Sequence, residues 1–132
     1  MIFKWSEYIE LSEQLINNGE SSDIKSAYYR TSISRSYYGV YCIAKDKVEE
    51  YLGDKVPKGD SHTFVHDKFN YSSGRIAKKI GLDLQRLHIE RKKADYDASE
   101  IFEKEQAKTI LKQAKSLLKL YNDPNLKIDS RH

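Results

Sequence analysis

Ile80-Gly81-Leu82-Asp83-Leu84-Gln85-Arg86-Leu87-His88-Ile89-Glu90-Arg91-Lys92-Lys93-Ala94-Asp95-Tyr96 is the stretch on which the fold turns. Ile80, Leu84 and Leu87 advance by four and three residues, the period of a helix with one buried face. The next steps of that stripe fall on Arg91 and then on Ala94 and Asp95. A guanidinium thus occupies a place where the pattern calls for an apolar side chain. Its five donors need carboxylate, carbonyl or phosphate acceptors there, so Arg91 is either half of a structural ion pair or part of a site. Asp95, four residues on, is correctly spaced to pair with it.

Helical patterns continue on both sides. A first helix is predicted from about Lys4 to Asn18, with Trp5, Tyr8, Ile9, Leu15 and Ile16 on one face and Asn17-Asn18-Gly19 as its stop. Ser21-Ser22-Asp23 offers caps for a second, much longer helix reaching about Leu52, before Gly53. After a loop containing Pro57 and Gly59, Asp60 or Ser61 caps a short third helix carrying Phe64, Val65 and Phe69. Tyr71-Ser72-Ser73-Gly74 precedes a fourth helix from about Arg75 to Lys93 or slightly beyond, weakened but not ended by Gly81. Beyond Asp97-Ala98-Ser99, the spacing of Ala107, Ile110, Leu111, Ala114, Leu117, Leu118 and Tyr121 predicts a fifth helix, ending before Asn122-Asp123-Pro124. The expected fold is all-α, an up-and-down bundle of about five helices over residues 1–122, with residues 123–132 a polar tail whose last eight residues fray.

Composition agrees with one soluble domain: 132 residues, 33% charged and 39% hydrophobic, with two prolines and six glycines leaving few breaks. A single cysteine, Cys42, excludes a disulfide framework or a four-cysteine zinc site within one chain. No run approaches a membrane span, and the N-terminal residues lack an apolar signal core, so a cytoplasmic location is expected. The net charge of +3 is compatible with a nucleic-acid partner without being diagnostic of one.

Tyrosine is over-used, at ten residues, and Tyr28, Tyr29, Tyr37, Tyr38 and Tyr41 share the second helix. Apolar and aromatic groups occupy most of that helix's circumference, which predicts a central helix that also lies at a subunit interface, hence a homodimer. Arg30 falls on the same helical line as Tyr37 and Tyr41. Together with Arg91 and Lys92 these residues are candidates for a phosphate-tracking groove with aromatic platforms. A core helix whose hydroxyls bond to neighbouring backbone accounts for the tyrosines equally well.

Ala27-Tyr28-Tyr29-Arg30, then Tyr37-Tyr38-Gly39-Val40-Tyr41, then His62 followed by Phe69, and finally Arg91-Lys92-Lys93-Ala94-Asp95-Tyr96, together resemble the HEPN domain family, in the branch carrying Arg-x-x-Ala-Asp-Tyr. The resemblance runs from about Lys4 to Tyr121. It implies a commonly dimeric helical bundle of prokaryotic defence and toxin–antitoxin systems, often beside a minimal nucleotidyltransferase. It also implies a metal-independent ribonuclease site pairing an arginine with a histidine four to six residues later. Here Tyr96 stands where that histidine belongs, and phenol is a poor proton shuttle at neutral pH. The expectation is therefore a nucleotide- or RNA-associated module with weak or no nuclease activity. The alternatives are an active ribonuclease toxin using Arg91 with Asp95 or Tyr96, and a structural docking partner of a nucleotidyltransferase.

His62 and His66 are spaced i, i+4 beside Asp67, a geometry that chelates zinc. The third internal histidine, His88, belongs to a different predicted helix, so no metal site and no cofactor are expected. No glycine-rich phosphate loop and no serine nucleophile motif are present.

Overall fold

The computed structural model describes residues 2–130 and contains five helices: α1 (Glu7–Gly19), α2 (Lys25–Leu52), α3 (Ser61–Asn70), α4 (Arg75–Tyr96) and α5 (Lys104–Tyr121). No strand occurs among the described residues. The chain is an all-α bundle, as its periodicities predict.

α2 is the central member and touches all four other helices. Ile33, Tyr37, Val40, Ala44 and Val48 are fully buried along it, against Ile80, Leu84 and Leu87 of α4, Ala107, Ala114 and Leu117 of α5, and Val65 and Phe69 of α3. The apolar circumference of α2 is thus largely covered within one chain, and a subunit interface is not needed to explain it. The tyrosines achieve this burial because their hydroxyls find partners, as when Tyr121 donates to the Val40 carbonyl at 2.7 Å.

Two glycines are there for space or conformation. Gly53 closes α2 at φ 69°, a left-handed position that an L side chain resists, and its N–H caps the Glu49 carbonyl. Gly81 lies where α4 meets the end of α3: a Cβ there would stand 2.9 Å from the Asn70 backbone nitrogen, closer still to its side chain. Close approach of two helices, not turn formation, puts glycine in mid-helix.

α1 begins at Glu7 and not at Lys4, because the residues before it form a tight turn and Trp5 Nε1 donates to Asp46 Oδ2 of α2 at 2.9 Å. The expectation of a frayed tail is corrected over the described residues. Leu126 and Ile128 pack on the core, Ser73 N donates to Asp129 Oδ1 at 2.7 Å, and Tyr51 donates to the Ser130 carbonyl at 2.9 Å. Apolar residues alternating with polar ones let the segment cover the α2 and α4 ends; residues 131 and 132 lie outside the described residues.

Candidate functional site

The stripe of α4 delivers Arg91 to the rim of the core, where its side chain keeps only 12% exposure. Its Nε donates to Asp95 Oδ2 at 2.9 Å, and the same carboxylate oxygen accepts from Ser34 of α2 at 3.1 Å. The guanidinium carbon lies 4.7 Å from the ring centroid of Tyr38 and 5.4 Å from that of Tyr96. Arg35, one turn before Tyr38 on α2, approaches the same Tyr38 ring at 4.8 Å and the Tyr8 ring at 4.9 Å. Two guanidiniums therefore converge on one tyrosine, with Asp95 as the carboxylate bonded between the helices and Lys92 exposed beside them. Cation–π contact holds each arginine in place without neutralising it, so the patch retains positive charge.

One turn before Arg91, half-buried His88 stacks on His62 of α3, with centroids 4.5 Å apart and planes 4° apart. Tyr41 stacks on the other neighbour of this layer, 4.1 Å from His62, and donates to Ser61 at 3.1 Å. Buried Tyr37 bonds through its hydroxyl to His62 Nδ1 at 2.6 Å and to His66 Nε2 at 3.0 Å. Burial, assisted by the neighbouring imidazoles, lowers His66 to about 3, and the same causes lower His88 to about 4. His62 is lowered by burial and then by the Arg91 charge. Burial also drives the Tyr37 phenol far up, so this cluster is neutral at physiological pH.

The model of the HEPN domain matches residues 6–123, nearly the whole chain. The chain belongs to the HEPN domain family. At the level of the family this is a nucleotide- or RNA-related module. No curated protein and no solved structure matched the chain.

In this HEPN domain the candidates Arg91, Asp95 and Tyr96 do come together, and Lys92 is exposed next to them. Tyr37 and Tyr41, the expected aromatic platforms, are instead buried and face the histidines, so neither presents a ring to a base. Arg30 has another task. Its Nη1 donates to the carbonyls of Lys93, Ala94 and Asp97, and its Nη2 to that of Glu100, which caps the C-terminus of α4 from a distant part of the chain. A basic run at the start of α4, Arg75, Lys78 and Lys79, begins sixteen residues before Arg91, about 24 Å along the helix, and does not join the patch. Sequence reasoning missed Arg35 and Tyr38, although their i, i+3 spacing puts them on one face. It also set His88 aside for lying on another helix, where α3 packs directly on α4. Among the described residues, no helix is long and apolar enough to cross a membrane.

Proposed function

We propose that this HEPN domain, of the branch marked by Arg91, Ala94, Asp95 and Tyr96, binds the phosphate of a nucleotide or single-stranded RNA with little or no cleavage. Its setting is a prokaryotic defence or toxin–antitoxin system. The observation that carries this is the convergence of Arg91 and Arg35 on Tyr38, because it gathers two guanidiniums, a group matched to phosphate, on one ring. Tyr96, 75% exposed, provides the accessible ring on which a base can stack. Salt-sensitive binding of RNA that is lost on Arg91→Ala supports it; binding indifferent to Arg91 defeats it.

An active metal-independent ribonuclease is the second possibility, and one observation favours it: His88 and His62 supply imidazoles beside Arg91 that the Arg91–Tyr96 motif lacks. Acid–base catalysis is most efficient when the group titrates near the working pH, and His88 at about 4 does not. Cleavage in chelator that vanishes in both Arg91→Ala and His88→Gln marks the nuclease. A homodimer and a nucleotidyltransferase-type partner are expected on family grounds. Light scattering reads the dimer as about twice 15.4 kDa.

A further inference from the structure

We propose that His62, His66 and His88 bind a borderline first-row divalent cation, zinc being the ion their chemistry suits best. Imidazole is the commonest protein ligand for such ions. One ligand nitrogen from each of the three residues lies within 4.8 Å of the other two. The Tyr37 oxygen stands 2.6 Å and 3.0 Å from two of these side chains. Donors around a tetrahedral zinc, with bonds of about 2.0–2.1 Å, are separated by roughly 3.3 Å, so small side-chain movements bring the three nitrogens to that spacing.

The fold supplies the other requirements. His62 and His66 are one turn apart on α3, and His88 comes from α4, so the ion bridges two helices that already pack together. His66 is 3% exposed and serves as the anchored ligand, whereas His62 and His88 are half-buried. Their present stack keeps the two rings parallel, so a ring must turn out of the stack for both to ligate one ion. Because burial keeps all three imidazoles neutral, few protons must leave when the ion enters. Asp60 faces the cluster as its acidic neighbour, while Arg91, Lys92 and Lys45 oppose a dication and hold its affinity below that of a closed structural zinc site. The fourth position falls to water, since burial holds the Tyr37 phenol protonated. None of the groups that hold the anion in the proposed function is a ligand, so the two sites are tested separately.

Tag-free protein of residues 1–132, stripped with chelator and dialysed, is titrated with cobalt chloride, with zinc chloride as competitor. The d–d absorption of cobalt is expected to saturate at one ion per chain, without the charge-transfer band that Cys42 ligation produces, and zinc is expected to raise the melting temperature. His88→Gln and His66→Gln should each weaken binding at least about tenfold, the order that losing even a supporting hydrogen bond costs a metal site. Should His66→Gln fail to fold, His62→Gln on the partly exposed side takes its place. His132→Ala and Arg91→Ala should retain one ion per chain. No saturable cobalt spectrum in the folded wild type, or a spectrum that survives both His88→Gln and His62→Gln, overturns the site.

Discussion

The guanidinium of Arg91 rests 4.7 Å from the centroid of Tyr38, so the position of the α4 arginine is set by an aromatic ring of α2. Asp95 reinforces this by joining Arg91 to Ser34. A side chain that could have been only half of an ion pair within one helix is therefore part of an inter-helix arrangement with Arg35 at the same ring. Breaking either helix–helix bond should move the patch without unfolding the bundle.

Arg30 is predicted to matter for stability and not for binding. Arg30→Ala leaves the carbonyls of Lys93, Ala94, Asp97 and Glu100 without their shared donor, and should cost about 2 kcal/mol in urea unfolding. Lysine offers one cationic nitrogen in place of the fork, so Arg30→Lys should recover only part of this. A variant within about 0.5 kcal/mol of wild type would show that α4 ends stably without the cap.

Gly81→Ala sets helix propensity against space. Alanine in an exposed helix interior gains about 1 kcal/mol over glycine. Here the new Cβ meets the Asn70 backbone nitrogen at 2.9 Å, which no side-chain rotation relieves, so α3 must shift. A lower melting temperature is expected, accompanied by changed signals from α3; a rise in melting temperature refutes the close approach.

Much of the bundle is legible in the sequence because each helix carries its own period: Ile80, Leu84 and Leu87 on α4, and Ala107, Ile110, Ala114 and Leu117 on α5, are buried where the spacing puts them. The pairing of Arg91 with Asp95 is legible for the same reason, being local. What escaped is what depends on packing between elements. Tyrosine, with an apolar body and a polar tip, suits a core and a groove alike, and only the histidines opposite Tyr37 decide that it is core. Arg30 shares a helical line with Tyr37 but meets carbonyls sixty-three to seventy residues away. His88 joins His62 and His66 solely because α3 lies on α4.

Acid should destabilise the metal-free protein through its histidines. His66 at about 3 and His88 at about 4 lie below the ordinary 6.5, so the unfolded chain takes up protons first as pH falls. Their contribution is complete above about 6.5 and is lost progressively as pH drops toward 4 and then 3. For buried His66 the slope is at most about 1.4 kcal/mol per pH unit. Urea melts in chelator between these limits check this, and the pH dependence should flatten in His66→Gln; equal slopes in both proteins contradict the buried neutral imidazole.

The claim that Arg91 and Arg35 form an anion site around Tyr38 is tested most directly by fluorescence anisotropy of a labelled single-stranded RNA, in chelator, across a salt series. We predict saturable binding at low salt that weakens about tenfold or more in Arg91→Ala and in Arg35→Ala, with the logarithmic salt slope reduced by about 0.7 for each phosphate contact removed. Arg86→Ala, five residues before Arg91 on α4 and paired with Asp83, should bind as wild type. Absence of binding by the folded wild type at low salt, or equal affinity in wild type, Arg91→Ala and Arg35→Ala, contradicts the site.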